Sequence, residues 1–390
     1  MPINFQQIQS AIRRFAQFSS AQAQLREQNL EKALAQLNIY AQEIELLSQR
    51  IESALSINPD LRCAIPTKEP IDQSIKPLPF TRPVVLLAAD GSQIIPNQHL
   101  AVQFGVINVG LMRMCAGQTP QESIESDLLY ANEILTDQGY LVGEELIALR
   151  RDHKERSQLL QAASSENQTV VTLTDGPLEL FRESRESAEY QQLLEDYLQI
   201  LSQMAKKDII TAGYVDKPRN DLVIRLLELT LLTQDQIAQT KNIRELPGIT
   251  DADLFARILQ PEQRSAIFKL QSRNAQKFSG VLAIHFFYLN IGREGKPQIA
   301  RVEFPAWVLH RSENIDLIHS HLLDQCKIMG VRAYPYILHR AHEIATVSFQ
   351  EREHLTGLLQ QSLRSQGLEP GEKSSKQFHK EASGKTRHKR

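Results

Sequence analysis

Apolar residues recur at three- and four-residue steps through the first part of the chain. Phe5, Ile8, Ile12 and Phe15 begin the pattern, Leu30, Leu34 and Leu37 continue it, and Ile44, Leu47 and Ile51 close it, with Gln and Glu filling the other positions. This spacing predicts helix over 5–56. The stripe serves either to pack a helical hairpin on the rest of the protein or to contact a second chain. Its heptads are too ragged for a long coiled coil. The pattern then stops. Six prolines fall from Pro59 to Pro83, and repeated proline disfavours a helix or a central strand. Residues 61–82 therefore read as a linker after a helical region, 1–60.

Beyond the linker the period changes. Pro83-Val-Val-Leu-Leu-Ala-Ala is a continuous apolar run, as in a strand buried on both faces, and it ends in Asp90-Gly91-Ser92. Residues 100–114 predict one or two more strands, broken near Asn108-Val109-Gly110. Helix is predicted over 144–165 and strand over 169–174, the latter ending in Asp175-Gly176-Pro177. An amphipathic helix over 187–207 leads to a strand over 208–215 and then Asp216-Lys217-Pro218. Residues 220–278 read as a helical insertion, irregular from 234. Strands over 280–291 and 299–308 form a hairpin. A helix over 313–329 is capped by Gly330, and Pro335 opens another. The order is that of an α/β protein with a mixed sheet over 83–348, a C-terminal helix over 349–369 and a tail over 370–390.

Composition bounds what such a chain does. Apolar residues are 42% and charged residues 23% of 390 residues, which excludes a wholly disordered chain. Net charge is −2. The tail carries seven Lys/Arg against two Glu, net +5, so the rest sums to about −7. Net charge thus does not mark the folded part as a polyanion binder. The tail is either a solvated terminus or a source of salt-sensitive affinity for phosphates. A local basic patch is expected at Arg150, Arg151, Lys154 and Arg156. Cys63, Cys115 and Cys326 are too scattered for a disulfide framework or a zinc site, which fits a reducing, cytoplasmic setting. No apolar signal core opens the sequence. The most apolar long stretch, 100–117, is interrupted by Gln103, Asn108 and Arg113, so no membrane span is expected.

Two buried strands ending in Asp-Gly are the main chemical signal. A carboxylate there projects from a rigid element, and glycine admits a close neighbour. Asp90, Asp175 and an acid on the intervening helix make a trio of hard oxygen donors suited to Mg²⁺ or Mn²⁺. Two such ions can activate water and stabilise a leaving oxygen in phosphodiester hydrolysis. Glu155 falls on the helix face with Ala148, Leu159 and Ala162. Its plainer reading is a surface ion pair with Arg151. Glu144 and Glu145 are rivals in the first turn, where the helix dipole already accounts for them. His339 and His342, three apart, share a helix face, and a histidine there serves as ligand, proton donor or phosphate contact. His319 and His321 read as surface residues. Lys217 is a candidate phosphate contact or a solvated loop lysine.

Taken in order, Ala89-Asp90-Gly91-Ser92, Arg151-x-x-x-Glu155, Thr174-Asp175-Gly176-Pro177-Leu178, Gly213-Tyr214-Val215-Asp216-Lys217-Pro218, Glu303-Phe304-Pro305-Ala306-Trp307, and Tyr334-Pro335 with Ala341-His342 resemble the NurA nuclease family, over about 83–348. The resemblance implies an RNase H-like mixed-sheet core and Mn²⁺-dependent (or Mg²⁺-dependent) cleavage of DNA in end resection and double-strand break repair. It implies Asp90, Glu155 and Asp175 as metal-binding acids, Tyr334 and His342 as later members of the site, a homodimer, and docking on the hexameric HerA-type ATPase. Two other readings compete. One is a catalytically inactive DNA- or partner-binding scaffold on the same fold. The other is a phosphoesterase acting on RNA.

Overall fold

In a computed structural model of the chain, residues 4–79, 83–99, 101–136, 138–180, 188–239 and 244–371 are described, Gln17 by its backbone alone. The basic tail from 372 onward lies outside the described residues. Helices Phe5–Ile39 (α1) and Ile44–Ile57 (α2) precede strands Cys63–Pro66 (β1) and Ser74–Ile75 (β2). Then come Val85–Ile94 (β3), Gly105–Cys115 (β4), Gln121–Leu129 (β5), helix Glu144–Ser164 (α3), Val170–Asp175 (β6), helix Ala188–Lys206 (α4) and Ile210–Val215 (β7). Helices Leu222–Glu228 (α5), Gln234–Gln239 (α6) and Asp251–Ile258 (α7) follow, with strands Arg264–Ser265 (β8), Phe268–Gln271 (β9), Ile284–Asn290 (β10) and Ile299–Pro305 (β11). Helices Ser312–Ile328 (α8), Tyr336–Ala345 (α9) and Phe349–Ser365 (α10) end the series. The chain divides into two compact units, one of 1–81, 176–179 and 211–335, the other of 82–175, 180–210 and 336–390. The domain expected over 83–348 contributes residues to both units.

The second unit carries Asp90-Gly91 and Asp175. β3, β4 and β5 form an antiparallel meander, and β3 pairs in parallel with β6, giving the order β6–β3–β4–β5. A meander, then a helix, then a strand parallel to the first is the arrangement of an RNase H-like core. β3 is apolar throughout its first half because it is covered on both faces: Val85 to Ala89 are all buried. α3 lies against β3, and α9 lies against β3 and β4. The break expected near Asn108 is absent, since β4 pairs with β3 without interruption from Val106 to Cys115. Asn108 is buried there because its amide donates to Ala345 O at 2.7 Å and accepts from Ser126 Oγ at 2.5 Å. Gly110 keeps its place because α9 crosses it. β5 gave no sign in the sequence because it is an edge strand with Gln121 to Ser126 all exposed, so it carries no apolar alternation.

The first unit is an antiparallel sheet in the order β1–β9–β10–β11–β7, with β8 joining β2 to β10. β10 and β11 are buried along their whole length. Phe255 stacks on Tyr288 at 4.6 Å between centroids, and Phe268 on Phe286 at 5.7 Å. Two expectations change here. Residues 61–82 are not simply a linker, because Cys63 and Ala64 are fully buried in β1, which pairs with β9 at the sheet edge. The segment over 220–278 is not an appended helical insertion: it supplies β8 and β9, and Asp251 accepts from the amides of Val223 and Ile224 to cap α5. α1 joins this unit only through its second half. Ala33 and Leu37 are fully buried, whereas Phe5, Ile12 and Phe15 are 68%, 53% and 70% exposed. His319, expected at the surface, is fully buried. Its Nε2–H donates to Glu262 O at 2.8 Å, and burial lowers its pKa to about 4. All three cysteines are free and buried, and burial pushes Cys63 and Cys326 up to about 12.

Candidate active site

Alternation along β3 organises the site. Successive side chains of a strand point to opposite faces. Asp90 pairs with Gly110 of β4, on the face that α9 covers, and its Oδ2 meets His342 Nδ1 of α9 at 2.7 Å. Gly91 points to the other face. A Cβ built there would stand 2.6 Å from Glu155 Oε1 and 2.5 Å from Arg151 Cγ. The missing side chain of Gly91 is therefore what lets Glu155 of α3 come against the strand. Gly110 plays the matching part for α9: a Cβ there would stand 2.7 Å from Ala345 N and 2.8 Å from Ala341 O. Asp175 ends β6, one residue past the registered pair Ala89–Thr174, so it stands beside Asp90 at the same strand ends.

Asp90, Glu155, Asp175 and His342 all belong to the second unit. Glu155 forms the expected pair with Arg151, Oε1 to Nε at 3.2 Å, but the carboxylate is 9% exposed and the pair is not a surface one. Burial first, and then the Asp152 carboxylate, push the Glu155 carboxyl up to about 8, against the lowering effect of Arg151. Arg151 also reaches Asp152 at 2.8 Å and Gln93 at 3.2 Å. Asp152 and Gln93 carry no signal in the sequence. Glu144 and Glu145 are exposed in the first turn of α3. His339 turns to Glu343 at 3.4 Å and not to Asp90.

The remaining candidates belong to the first unit. Tyr334 packs edge-on against Tyr214, 5.5 Å between centroids at 88°. Lys217 is exposed, in the left-handed region with φ +43. The basic patch expected on α3 is neutralised: Arg150 pairs with Glu189, Arg151 with Asp152 and Glu155, and Lys154 with Glu125 and Asp127. Arg156 is buried over the Tyr197 ring.

The donor set is suited to a hard divalent cation, being carboxylates with one imidazole. Glu155 is desolvated and, among the described residues, is compensated by Arg151 and Arg156, so a further positive charge beside it is favoured. Among the described residues, no three His, Cys, Asp or Glu side chains are gathered as a ready ion cluster. In this state Arg151 holds Glu155 and His342 holds Asp90.

A meander, a crossover helix and a strand parallel to the first, with Asp90 and Asp175 at adjacent strand ends, give this unit an RNase H-like core. The sequence profile of the NurA domain matches residues 84–347, about two thirds of the chain, and the chain belongs to the NurA family of nucleases. Among solved structures it is similar to the catalytic domain of human Endonuclease V, at 15% identity and TM-score 0.32, over 81% of this chain and 98% of that one. It is also similar to LC9-RNase H1, a type 1 RNase H with the type 2 active-site motif, at 14% identity and TM-score 0.21, over 35% and 64% of the two chains. No curated protein matches it in sequence. Among the described residues, no helix is long and apolar enough to cross a membrane.

Proposed function

We propose that this chain is a cytoplasmic, divalent-metal-dependent deoxyribonuclease that hydrolyses phosphodiester bonds during DNA end resection and double-strand break repair. The observation that carries the reading is Glu155 lodged against Gly91 beneath Asp90, with Asp175 on the adjacent strand end. Asp90, Glu155 and Asp175 would hold Mn²⁺ or Mg²⁺. When bound, such an ion supplies Lewis-acid polarisation of the phosphate and a water of lowered pKa.

The side chains do the rest. His342 donates Nδ1–H to Asp90, which fixes its tautomer and leaves Nε2 facing outward to carry a proton to or from the reacting oxygens. Asp90 thereby both ligates and orients. Arg151 holds Glu155 in place from the α3 side. In the other unit, Tyr334, packed on Tyr214, and Lys217 are candidate substrate contacts, Lys217 for a DNA phosphate. A homodimer acting with a HerA-type hexameric ATPase fits the family.

Cleavage of end-labelled single- and double-stranded DNA with Mn²⁺, Mg²⁺ or EDTA tests this. Wild type should cut only with metal. The Asp90→Ala, Asp175→Ala double variant should lose cleavage by at least about 10³-fold while melting near the wild-type temperature. Undiminished cutting by the pure double variant would sink the assignment. The tie of Glu155 to Arg151 and of Asp90 to His342 favours one rival, an inactive scaffold. That rival predicts no thermal stabilisation by Mn²⁺ or Mg²⁺.

A further inference from the structure

The cations that the sequence gathers on α3 are neutralised by carboxylates, but another set is not. Pairing of Arg301 with Val215 sets the start of β11 beside the end of β7. Gln298 Nε2 then donates to Ala333 O at 2.9 Å and reaches Asp216 Oδ1 at 3.5 Å. Three loops, 216–219, 292–298 and 331–333, are thereby held at one end of the first unit's sheet. They carry Lys217, Arg219, Arg293, Lys296 and Arg332 against Asp216 and Glu294, and all five cations are exposed. Among the described residues, none of the five makes an ion pair.

The backbone holds part of this surface in an unusual form. Lys217 sits at φ +43 ahead of the buried Pro218, a left-handed conformation that a long side chain seldom adopts. The partner chemistry follows from what is present. Five long cations spread over three loops, with no exposed aromatic anchor among them, suit spaced anionic groups better than a protein hot spot.

We propose that this end of the first unit is a docking surface for the sugar–phosphate backbone of DNA, reading charge spacing and not base sequence. The proposal rests on DNA being the substrate, and deepens that reading by naming where the unit grips it. Binding through such contacts weakens with salt, by a slope of about 0.9 per phosphate neutralised on duplex DNA.

The test measures binding without cleavage. A fluorescent 30-base-pair duplex is titrated with the full chain in EDTA, by anisotropy, over a series of salt concentrations. The variant combines Lys217→Ala, Arg293→Ala, Lys296→Ala and Arg332→Ala. A charge-matched control combines Lys32→Ala, Lys68→Ala, Lys76→Ala and Lys269→Ala, four exposed lysines elsewhere in the same unit. The variant should bind on the order of 100-fold more weakly at 0.1 M salt, with its salt slope reduced by about 3 to 4. The control should stay within about threefold of wild type, and two duplexes of unrelated sequence should bind alike.

Equal losses in variant and control, or an unchanged salt slope in the variant, would overturn the docking surface and leave the nuclease reading standing. No duplex binding by wild type even at low salt would overturn both. The single charge reversal Lys217→Glu decides the same question should the fourfold variant melt early: a loss of about tenfold or more is expected, and unchanged binding would overturn the surface.

Discussion

At the scale of single residues the decisive feature is a buried carboxyl next to a glycine. Glu155 has its pKa raised to about 8, with burial as the first cause. An acid held above its usual value contributes most to stability while both states are protonated, below about pH 4.5, and that contribution is lost as pH rises through 8. Metal-free wild type should therefore lose stability between pH 5 and 8, on the order of a few kcal/mol at most. Glu155→Gln should flatten that slope in thermal melts taken across the range, because it keeps the shape and removes the charge. A slope unchanged in the variant would assign the pH dependence elsewhere. The same raised value means that metal capture near pH 7 should release a proton, visible as a buffer-dependent heat of binding. Little of this is legible in the sequence. The acid and its Arg151 partner can be read from the i, i+4 spacing, but not that the pair is buried, since burial is decided by the strand that Gly91 leaves bare.

At the scale of elements, two glycines on neighbouring strands do different jobs. Gly110 faces backbone atoms of α9 at 2.7 and 2.8 Å from a built Cβ, whereas Gly91 faces the side chains of Arg151 and Glu155. Helix backbone can move only with its whole element, whereas Arg151 and Glu155 can change rotamer, at the cost of the Arg151 Cγ and Cδ packing that a Cβ at Gly91 would meet at 2.5 and 2.8 Å. Gly110→Ala should thus cost stability, roughly 2–3 kcal/mol, and should move His342 off Asp90. Gly91→Ala should cost less stability and still impair cleavage, because Glu155 is displaced. Comparing the melting temperature with the cleavage rate of each variant separates the two. If Gly91→Ala is the less stable one, the account is wrong. The sequence placed β3, α3, β6 and α4 well because continuous apolar runs and a 3.6-residue period are strong local signals. It failed at β5, an edge strand without apolar alternation, and at Gly110, which reads as a break only until a helix is seen crossing it. β1 hid among prolines because an edge strand tolerates them where a central one does not.

At the scale of the whole molecule the apolar stripe of α1 stands out. Phe5, Ile12 and Phe15 lie on the half of the helix that does not join the core of the first unit. Replacing all three by Ser should leave the melting temperature of the dilute protein within a degree or two. If the expected homodimer uses this stripe, the same variant should sediment as a monomer at concentrations where wild type does not. A large fall in melting temperature at low concentration would mean instead that the stripe packs within its own chain. The sequence left these two uses of the stripe open, and periodicity cannot choose between them, since both bury the same face.

His342 sits on α9, and the strand it meets was laid down some 250 residues earlier in the chain. A protein made from its N-terminus folds its early segments first. β3, α3 and β6 emerge with their carboxylates while α9 is still to be synthesised. The His342 side chain therefore arrives only when residue 342 of 390 has been added. A chain stalled or clipped before that point holds Asp90, Glu155 and Asp175 without His342, so on the proposed mechanism an incomplete product of translation would lack the group that moves the proton.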